Sequence, residues 1–227
     1  VIFCNEERRD LALTHNPKLY CVIHNTPNLE ICADNDDIDF NLKSSNDNFK
    51  IVYVGVLAPT GRLLLEIGRL AKNHQNIELH VAGIGGLETY FRTLESELDN
   101  IFYYGQISIT DALALQSQCD LIFATYDPSI EVNRLAAPNK LYEAMALKKP
   151  IIVCNGTNAD KLVNKYNMGF TIDYDANEFW KTCILLEKDK CLNVELGRNG
   201  HSAYKDVFKW SIMERRLSSF YHDIQNH

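Results

Sequence analysis

From residue 49 onward the apolar positions alternate between two periods. Phe49 to Val56 is an apolar and aromatic run broken only by Lys50 and Gly55, the pattern of a strand buried on both faces. Leu63 to Ala71 then repeats apolar residues at three- and four-residue spacing, which predicts a helix. The pair recurs along the chain. Strands are expected at Ile77–Ala82, Ile101–Tyr104, Asp120–Thr125, Pro150–Cys154 and Phe170–Asp173, and helices at Leu87–Leu98, Ile109–Gln118, Pro138–Leu147 and Ala159–Tyr166. Strands alternating with helices of this length imply βαβ units, a parallel sheet and helices on both of its faces. The fold class is therefore α/β, a doubly wound parallel sheet.

Both ends break the rhythm. Residues 1–32 read as strand, helix (Glu6 to Thr14) and strand (Leu19 to Ile23), and the polar stretch Asp34 to Asn48 has the composition of an exposed linker. Trp210, Met213, Leu217, Phe220, Tyr221 and Ile224 fall on one face of a helix over residues 210–225, an apolar stripe whose partner is expected outside this chain. If so, Trp210 or Phe220 is exposed in the isolated chain or buried in a dimer. The first residue is Val1 and no signal pattern follows it, so a fragment is expected.

Composition narrows the function. The 227 residues carry 23 Lys+Arg against 30 Asp+Glu, a formal charge of −7, which disfavours nucleic acid as a partner. With 46% apolar residues a packed core is expected. No apolar run approaches the roughly 20 residues of a membrane-spanning helix. The 7 cysteines form no C-x-x-C pair and several lie in strand-like runs, so they are expected to be reduced and structural, in a cytoplasmic protein.

Candidate chemistry is sparse. Asp34-Asn35-Asp36-Asp37-Ile38-Asp39 offers two D-x-D spacings, but a calcium loop needs Gly and Glu where Asp39 and Ser45 stand, so a solvated linker is the better reading. The histidines are scattered and no metal site is expected. Gly83-Ile84-Gly85-Gly86 follows a strand and opens a helix. The third glycine of a dinucleotide fingerprint would be Glu88, which leaves both a tight turn and a ligand loop open.

The helix from Pro138 is the best local signal. Its N-cap would be Ala136 or Ala137, neither of which can accept from first-turn amides, and Lys140 adds charge at an end already positive. A phosphate there would satisfy the amides and pair with Lys140, while Glu143 one turn on could accept from two hydroxyls. The alternative is an uncapped surface helix. Arg62, in the loop after the first strand, fits a diphosphate clamp or an ordinary exposed arginine.

In order along the chain, Gly55-Val56-Leu57 with Arg62, Val81 to Leu87, Tyr103 to Ile107, Cys119 to Pro128 and Ala137 to Ile152 resemble the carboxyl-terminal donor domain of GT-B retaining glycosyltransferases of family 4, the glycosyl transferases group 1. The resemblance implies a Rossmann-like sheet forming the C-terminal half of a GT-B fold. It makes residues 1–32 a remnant of the acceptor domain, 33–48 the linker, 49–208 the nucleotide-sugar-binding domain and 209–227 the helix that crosses back. Glu143 matches the second Glu of the family's E-x7-E motif, which binds the donor ribose. Leu135 stands where the first would be, with Glu131 and Asn133 as nearby substitutes. Arg62 takes the place of the diphosphate lysine, and Val56 that of a second basic residue, leaving Lys140 and the backbone of Ala137, Pro138 and Asn139 to compensate. Gly55, Gly83 and Gly85 match the glycines at the pocket; Tyr104, Gly105 and Ile107 match the nucleobase site.

The implied activity is retaining, metal-independent transfer of a hexosyl-type sugar from a nucleotide-diphospho-sugar, with Arg62 and Lys140 stabilising the departing diphosphate and no cofactor. The implied acceptor is a glycan or lipid-linked molecule of polysaccharide biosynthesis, held by a mostly absent N-terminal domain, so the fragment alone would be inactive. Peripheral association of the full protein with the inner, cytoplasmic membrane face is a further implication. A non-catalytic nucleotide-sugar-binding module and a nucleotide-sugar epimerase on the same fold are the alternatives.

Overall fold

The structure, a computed structural model, describes residues 1–12, 19–28, 40–44 and 47–225. The acidic run Asp34 to Asp39, Cys32 and the expected helix end at Thr14 lie outside the described residues. The chain opens with β1 (Ile2–Phe3), α1 (Glu6–Ala12) and β2 (Cys21–Val22), the two short strands pairing in parallel. The main domain follows with β3 (Phe49–Val54), α2 (Leu64–Leu70), β4 (Ile77–Ala82), α3 (Glu88–Glu97), β5 (Ile101–Tyr103) and α4 (Ile109–Ser117). It continues with β6 (Leu121–Ala124), a single turn α5 (Glu131–Arg134), α6 (Asn139–Ala146), β7 (Ile151–Cys154), α7 (Asn158–Tyr166) and β8 (Gly169–Ile172). The chain then runs through α8 (Ala176–Lys188), α9 (Lys190–Ala203), a π-helical turn (Tyr204–Phe208) and α10 (Trp210–Gln225).

The six strands from β3 to β8 form one parallel sheet in the order β5-β4-β3-β6-β7-β8. The chain builds outward from β3 to β5, then returns to the other side of β3 to lay down β6. The β3/β6 boundary is thus a topological switch point, where loops at the carboxyl ends of the strands part and leave a crevice. Two apolar clusters sandwich the sheet: Ile51, Tyr53 and Phe123 face Ile67, Phe91, Phe179 and Trp180 on one side. Val52, Ile122 and Val153 face Leu115, Leu141, Met145 and Val163 on the other.

Helices α8 and α9 add to what the strand–helix rhythm predicts. Phe179, Trp180, Cys183 and Leu186 give α8 its buried stripe, and Asp175 caps it by accepting from the amides of Asn177 and Glu178. The described cysteines are free thiols; Cys119, Cys154 and Cys183 are buried and Cys191 is exposed. The terminal helix folds back onto the opening segment: the His24 amide donates to Met213 Sδ (3.3 Å). Met213 and Phe220 are buried and Trp210 half-buried, whereas Tyr221 and Ile224 remain exposed. Part of the stripe therefore finds its partner within this chain, because β2 supplies an apolar strip at that point. Among the described residues no helix is long and apolar enough to cross a membrane.

The loop after β4 is packed against the loop after β3. The Gly55 amide donates to Ala82 O (3.0 Å), and the Gly83 amide to Gly105 O (2.7 Å). Gly83 has φ +131°, and a Cβ there would lie 1.8 Å from Gly55 O. A side chain fits neither the conformation nor the space. Gly83→Ala should therefore cost about 2–4 kcal/mol of stability, read as a lowered midpoint in thermal or denaturant unfolding.

Candidate active site

A cleft of about 590 Å³ opens at the switch point. Its walls come from the ends of β3 and β6, the first turns of α4 and α6, and the opening segment of the chain. Arg62 enters from the loop after β3. Its Nη1 donates to Gly61 O (2.8 Å) and to Asn133 Oδ1 (3.0 Å), and its guanidinium lies 4.0 Å from the centroid of the Tyr126 ring. Asn133 in turn donates through Nδ2 to Asp127 O (3.0 Å), and Thr125 Oγ1 donates to Arg62 O (2.6 Å). These bonds tie the two switch-point loops together and fix the guanidinium between them.

Lys140 reaches the same cleft from α6. It is only 7% exposed, and its Nζ sits 4.4 Å from the centroid of the Tyr53 ring. Gly55 makes this approach possible, since a Cβ there would lie 2.8 Å from Nζ. Among the described residues Lys140 has no carboxylate within ion-pair distance and no hydrogen-bond acceptor. Burial, with Arg62 adding to it and Glu143 opposing, brings its pKa down from 10.5 to about 8. Glu143, one turn further along α6, is half-buried, and burial raises its pKa against the pull of Lys140 and Gln116.

The N-terminus of α6 differs in detail from the sequence reading. The N-cap is Pro138 (φ −66°, ψ 133°) rather than Ala136 or Ala137, and the first helical residue is Asn139. The proline ring fixes φ, and the extended ψ sets Pro138 outside the helix. The cap makes no side-chain hydrogen bond, and the first amide that finds an internal partner is Leu141, donating to Pro138 O (3.0 Å). The amides of Asn139 and Lys140 are left facing the cleft end of the helix dipole.

The cleft gathers Gly55, Arg62, Ile107, Asn133, Ala137, Pro138, Asn139, Lys140 and Glu143 from the expected set. It does not gather the others. Gly83 and Gly85 lie behind the wall and shape it through close backbone packing. Gly105 accepts from the Gly83 amide. Tyr104 turns to the other side of β5, where its ring stacks on His80 and its hydroxyl meets His80 Nδ1 (2.9 Å). Glu131 is exposed on α5, outside the lining; a single helical turn puts it on the solvent side while Asn133 points inward. Sequence reasoning passed over Tyr53, Tyr126, Cys4, Arg8 and Asn25, all of which line the cleft. Tyr126 was findable from its place just past a strand's carboxyl end. Arg8 and Asn25 carry no such signal, because they arrive through tertiary docking: Asn5 Nδ2 and Arg8 Nε donate to Leu135 O (3.2 and 3.0 Å), and Asn25 Nδ2 to Ala137 O (2.9 Å). Among the described residues no group of three or more His, Cys, Asp or Glu is placed to hold a metal ion.

The family model described as glycosyl transferases group 1 matches residues 34–203, well over half of the chain. The chain belongs to that family. The sheet, its order and the flanking helices are those of the Rossmann-like C-terminal domain of GT-B glycosyltransferases, and solved structures of such enzymes superpose on it. HepE of Anabaena, in complex with UDP and glucose, is 18% identical with a TM-score of 0.73, covering 96% of this chain and 61% of its own. TarM of S. aureus, a mutant in complex with fondaparinux, alpha-GlcNAc-glycerol and UDP, is 17% identical with a TM-score of 0.70, covering 97% and 43%. WaaG, a glycosyltransferase involved in lipopolysaccharide biosynthesis, is 14% identical with a TM-score of 0.64, covering 94% and 60%. This group 1 chain therefore spans roughly half of these neighbours' length. No curated protein matches it.

An unpaired buried ammonium destabilises the fold that holds it. Below pH 8 Lys140 is protonated in both folded and unfolded states and the cost is fully present; it fades as pH rises from about 8 to 10.5, where the unfolded chain binds the extra proton. Lys140→Met should thus stabilise the ligand-free protein at pH 7 by roughly 2–3 kcal/mol. The gain should shrink between pH 8 and 10.5, as followed by chemical unfolding across that range.

Proposed function

We propose that the cleft binds a nucleotide-diphospho-sugar, and that the whole protein transfers its sugar to a glycan or lipid-linked acceptor, with retention and without metal or cofactor. The observation that carries this reading is the convergence of Arg62 and Lys140 on one cleft with the uncapped N-terminus of α6 and Glu143 a turn away. A diphosphate supplies the negative charge that the two cations and the orphan amides lack. Glu143 is placed to accept from the ribose hydroxyls, and Ile107 and Ala112 offer an apolar wall for the base. The UDP held by HepE and TarM supports the same ligand class here.

In the transfer, negative charge grows on the diphosphate as the bond to the anomeric carbon breaks. Arg62, Lys140 and the α6 amides are fixed where that charge develops, which lowers the barrier without a metal ion. Acceptor binding is assigned to an amino-terminal domain of which residues 1–28 form a part; the share of HepE and TarM that the chain spans supports this division. Work on envelope or surface polysaccharide at the cytoplasmic membrane face is the setting proposed, in line with what is printed of WaaG. A module that binds the donor without transferring it is the second reading, favoured by Leu135 and Val56 at positions where the family carries charge.

Calorimetric titration with UDP, GDP, ADP and dTDP and their sugar conjugates should show one nucleotide bound above the others, weakened at least tenfold by Glu143→Ala. Absence of binding to every one of them would overturn the proposal. Transfer by a full-length protein that contains this chain separates the enzyme from the binding module. Because the anion needs Lys140 charged, affinity should hold below about pH 8 and fall above it. Binding near that pH should take up protons, measurable by comparing buffers of different ionisation enthalpy.

A further inference from the structure

Each cation of the cleft rests on a tyrosine ring, and among the described residues neither is paired with a carboxylate. Arg62 lies 4.0 Å from the ring centroid of Tyr126, and Lys140 Nζ lies 4.4 Å from that of Tyr53. Tyr53 is itself immobilised: it is 1% exposed, packs on Phe123, and donates its hydroxyl to Val56 O (3.0 Å). Tyr126 follows β6, its amide bonded to Ala124 O (3.1 Å), and presents its ring to the cleft.

A ring face and a carboxylate hold a cation in different ways. A carboxylate neutralises it, and an arriving phosphate must then compete with a charge already in place. A ring attracts the cation through its quadrupole, by roughly 0.5–2 kcal/mol, and leaves the positive charge and the N–H donors free. Arg62 donates through Nη1 to Gly61 O and Asn133 Oδ1 and meets the Tyr53 hydroxyl; all three partners are uncharged, so its positive charge stays available over the ring.

We propose that Tyr126 and Tyr53 are positioning residues of the donor site, seating Arg62 and Lys140 for the diphosphate without neutralising them. The proposal rests on the nucleotide-sugar reading for the identity of the ligand, though not for the presence of the seats. It also gives a physical role to the aromatic residue at position 126, directly after the fourth strand of the main sheet. There the second basic residue of the site is absent, Val56 standing in its place, and one well-oriented arginine has to serve.

The test uses the 227-residue chain with two probes, UDP and inorganic pyrophosphate, the second being independent of the base. Tyr126→Phe keeps the ring and should bind both probes within twofold of the parent. Tyr126→Leu removes the seat and should weaken both about tenfold. If the tyrosine acts through the arginine, Tyr126→Leu added to Arg62→Ala should cost nothing beyond Arg62→Ala alone, whereas a merely structural role would give additive losses. Tyr53→Phe keeps the ring beneath Lys140 while removing a hydroxyl that meets Val56 O and Arg62, and should retain more affinity for both probes than Tyr53→Leu. Loss in Tyr126→Phe equal to that in Tyr126→Leu, no loss in Tyr126→Leu, or additivity in the double variant would overturn the proposal. Pyrophosphate bound with the expected variant pattern, but no binding of UDP or of the other nucleotides titrated above, would overturn the nucleotide reading and leave the seats standing. Failure of every probe, pyrophosphate included, would overturn both.

Discussion

A lysine ammonium held inside the protein on the face of a ring, with no carboxylate in ion-pair distance among the described residues, is the constraint around which the rest of the site is arranged. Such a group is expensive to bury, and only its surroundings make it tolerable. The order β5-β4-β3-β6-β7-β8 opens a crevice at β3/β6 where water and anions still reach it. Gly55 withholds a side chain so that Nζ can pass, and Gly83 withholds another so that the Gly55 loop can sit where it does. Lys140 is carried on a helix whose own N-terminus is uncapped, which concentrates positive potential instead of spreading it. Each choice is unfavourable alone; together they concentrate positive charge and free amides in one cleft.

The opening 28 residues belong to this arrangement more than their length suggests. Asn5, Arg8 and Asn25 donate to the carbonyls of Leu135 and Ala137, the residues that lead into α6. Those bonds occupy lone pairs that would otherwise face an incoming phosphate. His24, 4% exposed, meets Tyr142 OH (3.0 Å) on α6 and Glu6 Oε1 (3.4 Å), and burial holds its imidazole below the usual range. The segment thus grips both the start and the buried side of the donor helix.

Legibility from sequence followed the range of the physics. The sheet was legible because burial on both faces enforces continuous apolar strands, and the expected strands match to within two residues. Helix α8 was equally written in the spacing of Phe179, Trp180, Cys183 and Leu186, and the strand–helix count simply stopped before it and α9. Arg62, Lys140 and Glu143 were expected together, and they share one cleft because helix termini and strand ends converge at the switch point of an α/β sheet. Tyr104 misled: its position after β5 fits a base-binding role, yet its side chain lies on a polar strip of the sheet. What a sequence cannot show is which distant residues dock, so Arg8 and Asn25 had no signal, and the ring beneath each cation became visible only in three dimensions.

That polar strip explains how the linker is kept in register with the site. Glu78 and His80, both fully buried on β4, lie beside Lys50 of β3, whose Nζ is 3.7 Å from Glu78 Oε2. Residues 40–44 and Asn48 cover them with matching groups. Ser44 Oγ donates to Glu78 Oε1 (2.7 Å), the Lys43 amide donates to Tyr104 OH (3.2 Å), and Lys43 Nζ pairs with Glu95 (2.7 Å). Phe40 packs its ring against Tyr104 and its carbonyl accepts from Gln118 Nε2 (2.9 Å). Burial pushes the His80 imidazole down to about 4, so at neutral pH it is uncharged. A buried carboxylate satisfied in this way is far more costly to expose than an apolar contact of the same size. Residues 40–44 and Asn48 are therefore pinned by this buried polar strip. Tyr104, unavailable to the cleft, is what joins that pin to β5.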